Sequence, residues 1–158
     1  DLLHGTPLLL VLENIQDPGN LGTMVRTSLG AGATGIVMTR DCVDIFSPKV
    51  VRATMGAIYR MPFFIADDAV SAFLMLRGKV RFYAAALGGE KSYDCFDYSK
   101  PSAFVIGNEG NGLRPETIAA CDEKMIIPME GNLESLNAAM AAGILLYEAH
   151  RQRHEDLV

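Results

Sequence analysis

Short apolar runs that alternate with segments of helical period restrict the fold of this chain more than any other feature. Continuous runs rich in Val, Ile and Leu are typical of strands buried on both faces, as in parallel sheets. The segments between them are long enough to supply the helical crossovers that parallel strands need. The pattern predicts an α/β fold with a mainly parallel six-stranded sheet and helices on both faces. The predicted strands are Leu8 to Leu12, Gly35 to Met38, Phe63 to Ile65, Val80 to Ala86, Ala103 to Ile106 and Lys124 to Ile127.

Five helices are expected in the gaps between these strands. Pro115 suits the first position of a helix, and Asn20 suits an N-cap. The predicted helices are Asn20 to Ala31, Pro48 to Ile58, Asp68 to Leu76, a short one from Pro115, and the longest from Ser135 to Arg153.

The last helix has apolar side chains at helical spacing on one face, at Leu136, Met140, Ile144 and Tyr147. Several alanines and Gly143 keep its girth small, which permits close approach of another helix or of a second subunit. Burial in the core of its own chain is the alternative, and the sequence favours neither.

Composition is typical of a single globular domain. The chain has 158 residues, of which 49% are apolar and 21% charged, which is enough to bury a full core. Three cysteines without a C-x-x-C pair indicate reduced thiols and a cytoplasmic protein. The longest apolar run, Ala138 to Tyr147, is half the length of about 20 residues that a membrane span needs, so we expect no membrane segment. His150 and His154 lie one helical turn apart without a suitably spaced third ligand, so we expect no metal.

A net charge of −5 gives the chain no general attraction to nucleic acid. The segment from Arg40 to Arg60 is an exception, because its four cations outnumber its two aspartates. The segment is a candidate for contacts with RNA phosphates through Lys49, Arg52 and Arg60, with an ordinary solvated helix as the alternative.

Two polar loops follow predicted strands, where open α/β sheets usually bind their ligands. The first runs from Glu13 to Gly22 and leads into the helix that carries Arg26; by itself it also reads as an ordinary turn. The second, Gly107 to Gly112, holds three glycines, which permit close approach of a ligand. Since Glu109 disfavours an anion, a neutral or cationic ligand suits this loop, such as adenine or a sulfonium or ammonium group, and a structural turn is the alternative.

A third polar loop, Pro128 to Asn137, precedes the last helix. Ser135 is a candidate N-cap for that helix. Ser135 and Asn137 are alternatively placed to converge on a ligand hydroxyl if the loop folds back over the sheet edge.

Together the three loops resemble the signature motifs of the SpoU (TrmH-like) family of RNA 2′-O-ribose methyltransferases, within the SPOUT superfamily. The resemblance covers nearly the whole chain and implies that residues 1–158 form a SpoU-type catalytic domain. It also implies a C-terminal trefoil knot and a homodimer. Family members commonly carry an N-terminal RNA-binding domain, which we expect to lie outside these residues. The matching positions are Asn14, Asn20-Leu21-Gly22 and Arg26, then Ile106 to Leu113, then Ile127 to Met129 with Ser135-Leu136-Asn137.

The resemblance implies transfer of a methyl group from S-adenosylmethionine to a ribose 2′-hydroxyl in structured RNA, ribosomal rather than transfer RNA. Around that hydroxyl it places Arg26, Ser135 and Asn137, supported by Asn14 and Asn20. Ala139 stands where many members have a second serine, which puts one secondary hydrogen bond in doubt. The resemblance implies a cofactor pocket at Leu87, Gly88, Gly107, Glu109, Gly110, Ile127, Met129, Leu136 and Asn137.

Three points stay open at the level of sequence. The Glu109 carboxylate either touches the cofactor or only braces its loop. A module that binds RNA or senses the cofactor without catalysis is one rival function, although Arg26, Glu109, Ser135 and Asn137 are all intact. A relative that methylates a base nitrogen is another, which the pairing of Asn20 with Arg26 disfavours.

Overall fold

A computed structural model describes residues 2–133 and 135–155. In this part of the chain seven strands form one sheet in the order β3-β2-β1-β6-β4-β7-β5, and every pairing is parallel. The strands are β1 (Leu8–Leu12), β2 (Gly35–Thr39), β3 (Phe63–Ala66), β4 (Arg81–Ala85), β5 (Lys91–Ser92), β6 (Ser102–Ile106) and β7 (Glu123–Ile126).

Helices cover both faces of the sheet, as the sequence predicts. They are α1 (Pro18–Gly30), α2 (Pro48–Thr54), α3 (Ala69–Leu76), α4 (Pro115–Ala120) and α5 (Ala138–Arg153), with 3₁₀ turns at Ala57–Tyr59 and Tyr93–Cys95. One core cluster packs α1, α2 and α5 on one face, and the other packs α3 and α4 on the opposite face. Strand β1 lies between them and is fully buried, its side chains alternating between the two clusters.

The strand count differs from the six that were predicted, because the sheet has β5 as a seventh strand. Lys91 and Ser92 are polar and not buried, so no apolar run marks them. They form a strand because they pair with Met125 and Ile126 of β7. Pairing with a partner distant in sequence created this strand, and local pattern does not encode it.

Three predicted helix ends are wrong, each for a local reason. Helix α1 begins at Pro18 with Asp17 as its N-cap, not Asn20, since the Asp17 carboxylate accepts hydrogen bonds from two backbone amides. Helix α5 is capped by Asn137 rather than Ser135. Helix α2 stops at Thr54, four residues early, because Met55 and Gly56 take left-handed backbone angles.

The apolar face predicted for α5 is not its buried face. The small residues of α5 pack inside this chain, so the expectation of a helix buried in its own core holds for them. Met140 and Tyr147 remain 60% and 48% exposed. Helix α5 therefore has apolar side chains on two sides, and helical spacing alone does not say which side meets the core. Its buried residues are Ala138, Ala139, Ala142, Leu145, Leu146 and Ala149.

Candidate active site

The three polar loops meet at one edge of the sheet. Because all seven strands run in parallel, their carboxyl ends lie on the same side, and the loops follow β1, β6 and β7 there. This is the edge at which open parallel sheets bind their ligands. Hydrogen bonds between side chains of the three loops then set their relative positions.

The Glu109 carboxylate joins the second loop to the first. Its Oε1 accepts a hydrogen bond from the Gln16 backbone N–H at 3.1 Å. Its Oε2 accepts from the Asp17 N–H at 2.7 Å and from the Asn20 amide nitrogen at 3.4 Å. Burial raises the pKa of Glu109, but the hydrogen bonds from Gln16 and Asp17 outweigh it and leave this pKa below its ordinary value. The sequence left two roles open for Glu109, and these hydrogen bonds are those of a carboxylate that braces the loop.

Asn108 adds a second connection between the same two loops. Its Nδ2 donates to the backbone carbonyl of Asn14 at 2.8 Å. Its Oδ1 accepts from the backbone N–H groups of Gly110 and Asn111, both at 2.9 Å. One asparagine therefore holds its own loop in shape while fixing that loop to the end of β1.

Gly107 is required by the loop itself. A Cβ at this position would lie 2.4 Å from the backbone carbon of Gly112 and 2.4 Å from the Leu113 nitrogen. No real Cβ tolerates backbone atoms at such distances, so any side chain would displace the loop. The glycine allows the loop to fold back on its own first residue.

Asn137 joins the third loop to the first. Its Oδ1 accepts from the N–H groups of Ala139 and Met140 at 2.9 and 3.2 Å, which caps α5. Its Nδ2 donates to the Asn20 side-chain oxygen at 3.1 Å. Because Asn20 also donates to Glu109, the series Asn137–Asn20–Glu109 runs through all three loops. The structure brings these three predicted site residues together, and Ser135 lies nearby in the third loop, exposed.

The residues predicted to hold a cofactor lie on three neighbouring strand ends. Strands β6, β4 and β7 are adjacent in the sheet, and Gly107 and Gly110 follow the first of these. Leu87 and Gly88 follow β4 and are exposed, with Leu87 70% exposed. The half-buried side chains after β7 complete this edge with an apolar contribution: Ile127, Met129 and Leu136.

Glu13 is a buried carboxylate that was not predicted as a site residue, and it supports the loops at this sheet edge. Glu13 is only 1% exposed. It accepts hydrogen bonds from the Arg114 backbone N–H at 2.8 Å and from the Thr117 hydroxyl. Arg114 lies 3.6 Å from it and pairs in turn with Asp41 at the end of β2. A charged residue at the end of a fully apolar strand was the sequence signal for this network, because a buried acid requires partners.

Asp41 completes the network on the β2 side. Burial raises its pKa, but hydrogen bonds from the Thr39 hydroxyl and the Arg114 guanidinium outweigh it and leave the pKa lowered. The Asp41 backbone carbonyl also accepts a hydrogen bond from the Gln16 side chain at 2.5 Å. The ends of β1, β2 and β6 are thereby joined by ion pairs and hydrogen bonds.

Arg26 lies further along α1. It stands eight residues into the helix from Pro18, or about 12 Å along the axis at roughly 1.5 Å per residue. Its place beside the reacting hydroxyl, which the family resemblance implies, stays a prediction.

The side of α1 that Arg26 occupies follows from its neighbours on the helix. Gly22 meets α2 at Ala53, whereas Gly30 lies next to Tyr147 of α5. Arg26 falls between these two directions at about 100° per residue, on the outer face. It is exposed, and its side chain makes no hydrogen bond or ion pair with residues 2–133 or 135–155.

The residues predicted to contact RNA phosphates lie on the same side of the sheet as α1. Lys49 and Arg52 project from α2, and Arg60 follows the Ala57–Tyr59 turn; all three are exposed. Helix α2 packs directly against α1. The structure thus brings these cations near the outer face of α1, not into the cluster around Glu109.

A cavity of about 680 Å³ lies elsewhere, at the amino-terminal end of β4, and includes Phe73, Arg77 and Pro101. It is on the opposite edge of the sheet from the three loops and plays no part in the site. Among the residues that the structure describes, no three His, Cys, Asp or Glu side chains form a group able to hold a metal ion. No helix in these same residues is long and apolar enough to cross a membrane.

Known proteins resemble this chain in sequence and in fold. Residues 7–147 match the model of the SpoU rRNA Methylase family. The chain belongs to this family. A curated relative, the 23S rRNA (guanosine-2′-O-)-methyltransferase RlmB of Acinetobacter baylyi, is 36% identical over 92% of this chain and 60% of its own length. The chain spans between about half and three fifths of the first curated SpoU relatives.

Solved structures of SpoU proteins share the fold. The SpoU methyltransferase AviRb of Streptomyces viridochromogenes superimposes with a TM-score of 0.87 at 30% identity, covering 96% of this chain and 61% of that one. An AdoMet-bound rRNA methyltransferase of Sinorhizobium meliloti superimposes with a TM-score of 0.83 at 36% identity, covering 96% and 57%. These likenesses extend over the sheet edge that carries the three loops.

Proposed function

We propose that this chain is the catalytic domain of an RNA 2′-O-ribose methyltransferase that uses S-adenosylmethionine and acts on ribosomal rather than transfer RNA. The observation that carries the proposal is the Asn137–Asn20–Glu109 series, which joins all three SpoU motif loops at the ligand-binding edge of the sheet. Relatives named as rRNA 2′-O-methyltransferases support the reaction and the substrate class, and an AdoMet-bound SpoU structure supports the cofactor.

The chemistry of the edge formed by β6, β4 and β7 fits S-adenosylmethionine. Leu87, Ile127, Met129 and Leu136 offer incompletely buried apolar side chains to an adenine ring, and Gly107 allows the neighbouring loop to fold back on itself. When bound, the cofactor supplies a methyl carbon whose bond to sulfur breaks as the ribose 2′-oxygen bonds to it, releasing the hydroxyl proton. Glu109 contributes by holding the first loop, because its carboxylate is occupied by backbone N–H groups.

The chain must align the ribose hydroxyl with the methyl group, since the donor is already a strong electrophile. Ser135 is exposed in the third loop, and its hydroxyl is free to hydrogen-bond to the 2′-oxygen. Asn137 fixes that loop against Asn20, and Asn14 carries the turn to which Asn108 binds. Arg26 is a permanent cation, so its role is to hold an RNA phosphate beside the reacting oxygen.

We place Arg26 at the reaction centre of a second copy of the chain. Its place on the outer face of α1 supports the homodimer that the family resemblance implies. The adjoining side of α5 leaves Met140 and Tyr147 exposed, as expected for an apolar surface covered by a partner. In the dimer, Arg26 of one subunit completes the site of the other.

The trefoil knot and the cytoplasmic location are further parts of the proposal. The C-terminal end of α5 is held against the loop before β6, where the Gln152 side chain pairs with the backbone of Phe96 and Tyr98. These contacts support a C-terminal segment threaded through that loop. A knotted chain pulled from both ends should extend to a contour length shortened by the tightened knot. Three unpaired cysteines support a reducing compartment.

The test is methyl transfer to ribosomal RNA, followed by mapping of the modified atom. The protein is incubated with isotopically labelled S-adenosylmethionine and rRNA from cells that lack the corresponding enzyme. Mass spectrometry of nuclease digests should find label on a ribose 2′-oxygen. Label on a base nitrogen would identify a base methyltransferase instead. No label, despite cofactor binding measured by calorimetry, would leave only a non-catalytic binding module.

A further inference from the structure

The surface of α2 and the turn that follows it combines exposed cations with exposed apolar side chains. We call the surface formed by Lys49, Arg52, Met55, Tyr59 and Arg60 the α2 surface. All five residues are exposed. Tyr59 is 83% exposed and Met55 71%. A tyrosine ring left so fully in water buries almost none of its apolar area, so the fold gains little from it.

Charge sets the α2 surface apart from the rest of the chain. The protein carries a net charge of −5, yet no Asp or Glu occurs between Ile45 and Ala66, or within α1. Within residues 2–133 and 135–155, the side chains of Lys49, Arg52 and Arg60 make no ion pair or hydrogen bond. Several arginines outside this surface do have acidic partners: Arg40 pairs with Asp67, Arg81 with Glu123, and Arg151 with Glu148.

The backbone holds Tyr59 outward in a defined position. Gly56 has φ +91°, and the Tyr59 N–H donates to its carbonyl at 3.3 Å. Ala57 and Ile58 are buried beneath the turn, which anchors it to the core. Tyr59 is therefore presented by a short, tethered turn and not by a free loop.

Met55 has a backbone conformation that glycine adopts at a lower conformational energy. Its φ is +51°, in the left-handed region that residues with a Cβ disfavour. Its side chain gains no compensating burial, because it is exposed. The left-handed backbone ends α2, with the Met55 N–H donating to the Arg52 carbonyl at 3.2 Å, and it leaves the Met55 side chain on the surface.

We propose that the α2 surface binds an unpaired stretch of the substrate RNA, with one base stacked on Tyr59 and Arg52 and Arg60 on the flanking phosphates. The inference rests on the proposed function and narrows its substrate: the target nucleotide lies in or beside a single-stranded segment. An aromatic ring between cations suits single-stranded nucleic acid, because every base has a stacking face and duplex bases do not expose theirs.

Two features favour RNA over a protein partner for this surface. The cations are unpaired and no acid accompanies them, which complements a polyanion. The α2 surface also adjoins the outer face of α1, since α1 packs against both α2 and the Ala57–Tyr59 turn. The RNA held there would extend over the helix that carries Arg26.

A tryptophan reporter tests the stacking directly. The chain contains no Trp, so Tyr59→Trp creates a single fluorophore on the α2 surface. Addition of a short oligoadenylate RNA should quench its emission, whereas the same strand annealed to oligouridylate should not. Leu74→Trp is the control, because Leu74 is 63% exposed on the opposite face of the sheet, and its emission should not respond. Equal quenching by both RNAs, or no quenching by either, would overturn the proposal.

Affinity measurements separate the base from the phosphates. Tyr59→Ala should weaken binding of labelled oligoadenylate by about 5- to 150-fold, the range found for one stacked base, while Tyr59→Phe binds as the unmodified chain does. Arg52→Ala should lower the slope of log affinity against log salt by roughly 0.7. Unchanged binding by Tyr59→Ala would reject the stacking. These readouts need no methyl transfer, so an inactive enzyme that still shows them would refute the proposed function and leave this inference standing.

Discussion

The polar side chains at the sheet edge that carries the three loops differ in their bonding from those on the outer face of α1 and α2. At the edge, Glu109, Asn20 and Asn137 are each satisfied by neighbours within the same chain. On the outer face, Arg26 and the cations of the α2 surface are exposed, and their side chains have no hydrogen-bond or ion-pair partner among the described residues. The difference shows which part is preorganised by folding and which part requires another molecule. Binding groups that are already held lose little entropy when a ligand arrives.

Substitution of Arg26 should have the largest effect on activity. Arg26→Ala should lower kcat/KM for methyl transfer by about 100-fold while leaving cofactor affinity unchanged, because the phosphate clamp acts mainly in the transition state. Arg26→Lys should recover little of the loss, since a point charge does not reproduce a bidentate grip. Single-turnover methylation and calorimetry measure the two quantities.

Mixed dimers show whether Arg26 acts across a subunit interface. Arg26→Ala and Ser135→Ala are each expected to be nearly inactive. After random mixing, half of the dimers carry one intact site of two, so activity should return to about a quarter of the unmodified level. Activity that stays at the level of the separate variants would place Arg26 in the site of its own chain.

Alanine substitutions at two glycines of the second loop test how rigidly the loops are held at this sheet edge. Gly107→Ala should destabilise the protein by about 1–3 kcal/mol, the usual cost of forced overpacking, because its Cβ would meet backbone at 2.4 Å. Gly110→Ala in the same loop is the control, since the nearest atom to its Cβ is a side-chain oxygen at 3.6 Å. Urea denaturation should separate the two variants. Equal stabilities would mean that the loop readjusts freely and that the edge is less preorganised than its contacts indicate.

The smallest effect is expected from the Glu109 charge. Its folded-state pKa lies below the ordinary value, so ionised Glu109 adds stability above that ordinary value, and the gain disappears as pH falls through the lowered one. Glu109→Gln should therefore lower stability at pH 7 by less than about 1 kcal/mol, given the solvent access of the loop. Urea midpoints of the two proteins should converge below about pH 4.

An exposed acid provides the control for this charge effect. Glu90→Gln changes a carboxylate that is also exposed but lies outside the network of the three loops. Its midpoint at pH 7 should match that of the unmodified chain. A Glu109→Gln difference that persists undiminished at pH 3 would show that shape rather than charge holds the loop.

Local pattern predicted those parts of the fold that depend on burial alone. Strand β1 lies where its five apolar residues indicate, because a segment buried on both faces must be apolar throughout. Strand β5 was missed, since two polar residues form a strand only through their pairing with β7. The buried side of α5 was likewise not predictable, because apolar residues occur around most of that helix.

The sequence by itself determined the α/β class, the three polar loops and, through their joint resemblance, the SpoU family. Only the tertiary structure decided that Glu109 braces the first loop and that Glu13 is held by Arg114 and Thr117. The physical reason is the separation in sequence between the groups that interact. Burial and turn propensities act between near neighbours in sequence, whereas these hydrogen bonds join groups up to 104 residues apart, and their geometry exists only once the parallel strands bring their carboxyl ends together.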